Sequence, residues 1–175
     1  MAKILILGST GMLGHVVYRY LSETTHTVET LSRTGSSTYQ LDVSSFDELN
    51  TLLRNNTFDI VINCVGVLVK ESADHTINAI KINTLLPLLL DKWTNEIGYK
   101  LIHISTDCVF SGKRGAYSEL DLKDATDIYG KSKGLGENLR FNSVVLRTSI
   151  IGPEISEHKT GLMNWVLISK GQIEG

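Results

Sequence analysis

Residues 3–14 read Lys3-Ile4-Leu5-Ile6-Leu7 and then Gly8-Ser9-Thr10-Gly11-Met12-Leu13-Gly14. This stretch decides the fold. A short, uninterrupted apolar run is the pattern of a strand buried on both faces. Behind it, Met12, Leu13, Val16, Val17, Tyr20 and Leu21 recur at helical spacing. The glycines sit at the junction. Gly8 permits a tight turn, Gly11 lets the backbone approach a pyrophosphate, and Gly14 allows the helix to pack closely on the sheet. The helix N-terminus then offers free N–H groups to phosphate. The spacing is GxxGxxG, not the GxGxxG of the usual dinucleotide fingerprint, so its strand-to-helix context carries the reading.

Working outward, residues 27–31 and 38–41 read as second and third strands. Phe46, Leu49, Leu52 and Leu53 mark a helix with Ser44 or Ser45 at its N-cap. Residues 59–65 (DIVINCV) form the next buried strand, and a long helical pattern over 74–97 is interrupted by Pro87, which should kink it. A fifth strand is expected at 101–104, a helix at 128–140, a sixth strand at 143–146 and a last apolar helical segment at 162–168. Such alternation predicts an α/β fold: a Rossmann-type, doubly wound parallel sheet. Residues 1–152 form the expected NAD(P)-binding domain, and 153–175 the start of a truncated substrate-binding region.

The chain has 175 residues with a net charge of −2; 42% are hydrophobic and 21% charged. Those values exclude a disordered chain, and the lack of any basic block excludes a nucleic-acid or anionic-membrane footprint. The longest apolar run, residues 85–90, contains Pro87 and is far shorter than the ~20 residues a membrane span needs. Two cysteines do not make a disulfide framework, which points to a reducing, cytoplasmic setting. The five histidines show no ligand spacing, so no metal site is expected.

Two further motifs carry chemistry. Tyr129 and Lys133 stand at i and i+4 of the expected sixth-strand crossover helix, on one face. A phenol with its ordinary pKa of ~10 is a poor acid–base group at neutral pH, and a neighbouring ammonium lowers it. Ser105-Thr106-Asp107-Cys108-Val109-Phe110 ends the fifth strand, where ligands of open α/β sheets gather. After the second strand the chain reads Leu31-Ser32-Arg33-Thr34, with no acid at the tip. Ser32 and Arg33 suit a 2′-phosphate better than a free ribose hydroxyl, so NADP(H) is preferred and NAD(H) stays open. Asp42 could cap the following helix or meet the adenine amino group.

Together GSTGMLG (8–14), LDVSSFDEL (41–49), DIVINCVG (59–66), NTLLP (83–87), STDCVFSG (105–112), YSELD (117–121), YGKSKGLGE (129–137) and LRTSIIG (146–152) give a resemblance over nearly the whole chain. The sequence resembles the extended short-chain dehydrogenase/reductases, and within them the dTDP-4-dehydrorhamnose reductase group of nucleotide-sugar 4-keto reductases. The resemblance implies that Thr106, Tyr129 and Lys133 are catalytic. Tyr129 would protonate O4 as hydride reaches C4, Lys133 would tune Tyr129 and bind the nicotinamide ribose, and Thr106 would orient the carbonyl. Implied cofactor contacts are Gly8, Thr10, Gly11, Met12, Leu13, Gly14, Ser32, Arg33, Asp42, Val43, Val65, Gly66 and Asn83, besides Tyr129 and Lys133. Residues 148–151 would pass beside the nicotinamide end. Implied substrate contacts are Val67, Thr106, Asp107, Cys108, Val109 and Phe110. The expected partners are a nucleotide-sugar substrate and, as an open option, a second copy of the chain.

The sequence departs from that family in two places. Cys108 stands where the family usually has Tyr. A related group of epimerase/reductases places an acid/base Cys there, but its histidine partner has no counterpart, since His158 lies at a different separation from Tyr129. Dehydratase relatives place Asp-Glu after the threonine, and Cys108 holds the glutamate position. Members of the family also run well beyond residue 175, so the chain reads as a fragment or as a reductase with a reduced substrate lobe. The regulatory subunit of methionine adenosyltransferase resembles the same reductases, so a non-catalytic NADP-binding role is the alternative from a different class.

Overall fold

The computed structural model describes residues 1–152 and 162–171. Six strands form one sheet: β1 (Lys3–Leu7), β2 (Thr27–Ser32), β3 (Tyr39–Gln40), β4 (Ile60–Asn63), β5 (Lys100–Thr106) and β6 (Ser143–Thr148). All pairings are parallel, in the order β3-β2-β1-β4-β5-β6. The expected doubly wound sheet is therefore present. Its order reverses between β1 and β4, and that crevice is where such sheets bind ligands.

The alternation of β1 builds both cores. Ile4 and Ile6 pack with Ile62 and with Val17 and Leu21 of helix α1 (Met12–Ser22) on one face. Leu5 and Leu7 join Leu49 and Leu53 of α2 (Phe46–Asn55) and Leu86, Leu90 and Trp93 of α5 (Leu86–Ile97) on the other. Each of Leu5, Ile6 and Leu7 is fully buried, as a central parallel strand requires.

Several boundaries move for identifiable reasons. Strand β4 ends at Asn63, because the Asn63 side chain accepts the Val65 N–H at 3.1 Å and turns the chain out of the sheet. Ser45 occupies the N-cap of α2 without a side-chain bond. Asp42 organises this turn instead, accepting the Ser44 N–H at 2.8 Å. The long pattern at 74–97 resolves into α3 (Val69–Asp74), α4 (Thr76–Ala79), a π-helical stretch Ile80–Leu85 and then α5. The disruption falls just before Pro87, which enters α5 in its first turn, where a missing N–H is tolerated. Helix α6 (Ile128–Gly136) stops short of the expected residue 140. Buried Asp91 captures the N–H groups of Arg140 and Phe141 at 2.8 and 3.2 Å, committing them to the turn into β6. A last helix, α7 (Leu162–Ile168), matches the final apolar segment; most of the rest of 153–175 lies outside the described residues.

Candidate active site

The glycine loop joins β1 to α1 at the switch point. Gly8 has φ +81°, a left-handed conformation that L side chains rarely adopt, and a Cβ there would lie 2.8 Å from a Val65 methyl. A Cβ on Gly14 would come within 2.1 Å of the Gly8 carbonyl oxygen, so the loop folds onto the helix only because residue 14 has no side chain. No side chain caps the N-terminus of α1, and its first turn carries no acid. Its N–H groups are left for an anion. The Ser9 hydroxyl within this loop is buried without a partner, as is Thr148 Oγ1 at the end of β6. A cradle that a Cβ would fill, with two orphaned hydroxyls facing the strand ends, fits a dinucleotide.

At the tip of β2, the Arg33 side chain is 77% exposed, with the Asp42 carboxylate 3.9 Å away. Ser32 is buried, and its hydroxyl donates to the Thr34 carbonyl at 2.9 Å. Thr10 lies against this turn, its methyl 3.2 Å from where a Gly35 Cβ would stand. The Ser44 N–H holds the Asp42 carboxyl below its ordinary range, with Arg33 adding to the effect. Asp42 holds the turn before α2 and does not cap that helix, whose N-cap is Ser45. Met12 and Leu13 are half-buried at the start of α1, whereas Val43 is buried in the core.

Thr106 ends β5, and Tyr129 stands in the first turn of α6, which Asp127 caps by accepting the Gly130 N–H at 2.9 Å. Thr106 Oγ1 accepts the Cys108 N–H at 3.1 Å and donates to the Asp107 carboxylate at 3.3 Å, and its hydroxyl favours the ionised form of the Tyr129 phenol. Burial pushes Tyr129 above its ordinary value. The Thr106 hydroxyl pulls it back, and the negative forms of Cys108, Asp107 and Asp127 add to the rise. Lys133, 4% exposed, donates to the Ile104 carbonyl at 2.8 Å. Burial lowers it to about 8, against the opposing pull of Glu137 and Cys64. The structure therefore brings Thr106 to Tyr129, while the Lys133 ammonium is directed at the strand. Thr106 favours Tyr129 ionisation against the burial that opposes it.

Asn83, from the π-helical stretch, is fully buried. Its Oδ1 accepts the Val67 N–H at 2.9 Å, and its Nδ2 donates to the Val67 carbonyl at 3.0 Å and to Ser132 Oγ at 3.1 Å. It clamps the loop after β4 to α6. Val67 is buried in this clamp, Val65 is half-buried against Gly8, and exposed Gly66 lies near Lys133 Nζ.

Beyond β5, Asp107 and Cys108 are exposed, with Cys108 Sγ 3.7 Å from the Asp107 carboxylate. They line a 450 Å³ depression together with Phe110, Ser111, Tyr117 and Arg147. Val109 is fully buried. Phe110 stacks on Tyr117 with centroids 4.6 Å apart, and the Arg147 guanidinium lies 4.9 Å from the Phe110 centroid. A 590 Å³ groove between β3 and α2 contains none of the expected site residues. His158 falls outside the described residues. No group of three or more His, Cys, Asp or Glu suited to a metal occurs among the described residues, and none of their helices is long and apolar enough to cross a membrane. Glu137 was not singled out from the sequence. Its spacing, four residues after Lys133 and eight after Tyr129, was the available signal.

A Rossmann sheet with a glycine cradle at its switch point and a threonine–tyrosine–lysine cluster beside it defines an extended short-chain dehydrogenase/reductase domain. The family model described as the RmlD substrate binding domain matches residues 2–165, and the chain belongs to this dTDP-4-dehydrorhamnose reductase-like family. It is 30% identical over 155 residues to a dTDP-4-dehydrorhamnose reductase of Aggregatibacter actinomycetemcomitans, covering 85% of this chain and 51% of the relative. A hypothetical dTDP-4-dehydrorhamnose reductase from Sulfolobus tokodaii superposes with a TM-score of 0.78 at 32% identity, over 83% of this chain and 55% of that one. Mouse methionine adenosyltransferase 2 subunit beta is 26% identical over 162 residues, covering 89% of this chain and 48% of the relative. The chain thus spans about half the length of the curated relatives it matches.

Proposed function

We propose that this chain carries the cofactor-binding and catalytic half of an NADPH-dependent reductase acting on a nucleotide-activated 4-keto-6-deoxy sugar, in surface polysaccharide or deoxysugar synthesis. The observation that carries the proposal is the placement of Thr106, Tyr129 and Lys133 at the strand ends, beside the glycine cradle. Gly8 to Gly14 and the N-terminus of α1 would hold the pyrophosphate, and exposed Arg33 the 2′-phosphate. When bound, the nicotinamide supplies the hydride that reduces the keto carbon.

The chain's own residues supply position and a proton. Tyr129, pushed upward by burial, stays protonated at neutral pH and holds its proton on Oη for the sugar O4. Thr106, whose hydroxyl favours the phenolate, would orient the carbonyl oxygen and steady the charge left on Tyr129 as the proton departs. Lys133, held on the Ile104 carbonyl, would add a cation in a water-poor setting, where charge acts strongly.

A non-catalytic NADP-binding subunit is the second reading, and the likeness to methionine adenosyltransferase 2 subunit beta supports it. One experiment separates the two. NADPH oxidation is followed with dTDP-, UDP- and GDP-linked 4-keto-6-deoxy sugars beside a Tyr129→Phe variant. Turnover with one sugar, lost in the variant, establishes the reductase. Turnover that survives in the variant overturns the role of Tyr129, and NADPH binding with no turnover on any of the three leaves either a half that lacks its sugar lobe or the binder.

A further inference from the structure

Glu137 caps the C-terminus of α6, and its carboxylate is 3% exposed. Both conditions oppose a negative charge, since burial removes solvent and the helix C-terminus already carries a partial negative charge. The site resolves this by gathering donors from three other segments. Ser105 of β5 donates at 2.5 Å. Arg147 of β6 closes on both oxygens, through Nε at 3.0 and 3.2 Å and through a terminal nitrogen at 2.7 Å. Lys123, from the segment between β5 and α6, stands 3.4 Å away and donates to the Gly134 carbonyl at 2.7 Å. These donors hold the Glu137 carboxyl below its ordinary range despite its burial.

The cluster extends outward. Arg147 lies over Phe110, Phe110 stacks on Tyr117, and Arg114 lies over the Tyr117 ring at 4.8 Å. Arg114 is paired with Asp121, and Tyr117 shares Ser111 and Asp124 in a hydrogen-bonded group. A continuous column of guanidinium, phenol ring, phenyl ring and guanidinium thus runs from the exposed 111–124 loop to the Glu137 carboxylate. Ser105 precedes Thr106, and Glu137 shares the α6 face of Tyr129 and Lys133.

We propose that Glu137 is a positioning residue of the Thr106–Tyr129–Lys133 site, fixing strand β5, helix α6 and the loop wall against one another through its ties to Ser105, Arg147 and Lys123. The proposal rests on the reductase reading for its kinetic consequences but not for its structural ones. Glu137 also acts on Lys133. The titratable groups that face Lys133 are Glu137 on its own helix, Cys64 at the end of β4 and His103 on β5. Of these, Glu137 is the strongest opponent of the burial that favours a neutral amine.

The test compares wild type with Glu137→Gln, Glu137→Asp and the double variant Glu137→Gln/Arg147→Met. The double variant deletes both halves of the ion pair and stands in if the single one fails to fold. The first readout needs no turnover. The Lys133 13Cε signal, assigned by its loss in Lys133→Met, is titrated in full-length protein. Its midpoint is expected to fall by at least half a pH unit in both Gln-bearing variants and to be restored in Glu137→Asp. The second readout is steady-state kinetics with the accepted sugar, where kcat falls at least tenfold while the KM for NADPH stays within twofold. An unmoved Lys133 midpoint in a folded Gln variant overturns the proposal whether or not the wild type turns over. An unmoved kcat in such a variant overturns it as well. A moved midpoint in a wild-type background that shows no turnover counts against the reductase reading alone.

Discussion

Lys133 directs its ammonium at the carbonyl oxygen of Ile104, 2.8 Å away, from a side chain that is 4% exposed. A single carbonyl is a poor substitute for a hydration shell, and burial lowers the group from 10.5 to about 8. The free protein therefore carries a charge that its fold does not favour, next to a cradle built for an anionic ligand.

Lys133→Met should stabilise the ligand-free chain. At pH 7 both folded and unfolded Lys133 are protonated, so the burial penalty, about 3 kcal/mol at 1.36 kcal/mol per pKa unit, is fully present. Between pH 8 and 10.5 the unfolded chain binds more protons than the folded one, and wild-type stability should rise with pH across that window. Urea unfolding at pH 7 and pH 10 should show the variant more stable by roughly 1–3 kcal/mol at pH 7, with the gap closing at pH 10. A variant less stable than wild type at pH 7 would refute this.

His103 produces the opposite limb. It is fully buried, takes a hydrogen bond on Nδ1 from Asn63 Nδ2 at 3.1 Å, and leaves Nε2 without a partner. Burial, with Lys133 adding, lowers it from 6.5 to about 3, so it stays neutral in the folded state. Below pH 6.5 the unfolded chain takes up a proton that the folded chain refuses. Stability should then fall by about 1.4 kcal/mol per pH unit toward pH 3. In His103→Gln that share of the slope disappears. Urea midpoints between pH 4 and 7 that run parallel in the two proteins would show that His103 is not the cause.

The sheet was legible in the sequence because its strands are continuous apolar runs bounded by turn residues, and 3–7 was read to the residue. Where side chains capture backbone groups, periodicity misled. Asn63 ends β4 through Val65, and Asp91, 49 residues from Arg140, ends the region of α6. Nothing local announces a carboxylate arriving from another helix. The site shows the same division. Tyr129 and Lys133 stood out by their i, i+4 spacing and Thr106 by its place at the end of the fifth strand, with their roles implied by the family resemblance, but the Lys133 bond to Ile104 and the ties of Glu137 to Ser105 and Arg147 come from residues distant in sequence.

Asn83 is expected to matter through Val67. Asn83→Leu keeps the volume but leaves the Val67 N–H unpaired in a buried place, while the Val67 carbonyl keeps the Ser72 hydroxyl at 3.0 Å. The unfolding free energy should drop by roughly 1–3 kcal/mol. NADPH affinity should weaken as well, since Gly66 loses its anchored neighbour. A variant with unchanged stability would mean that water replaces the amide and that the clamp is dispensable.

Thr106→Val tests which group governs Tyr129. Burial raises the phenol above 10, and the Thr106 hydroxyl is the influence that opposes it. Replacing the hydroxyl by a methyl keeps the shape and removes that influence, so Tyr129 should ionise at a still higher pH. Phenolate absorbance, taken as the difference between each protein and its Tyr129→Phe counterpart, isolates this one residue from the other five tyrosines of the chain. The charge left on Tyr129 as it gives up its proton would lose the same support, and kcat should fall by about 10²-fold at pH 7. If the Tyr129 curve instead moves in Lys133→Met and not in Thr106→Val, the lysine governs the phenol in solution, and the Lys133–Ile104 contact is not the arrangement that sets its ionisation.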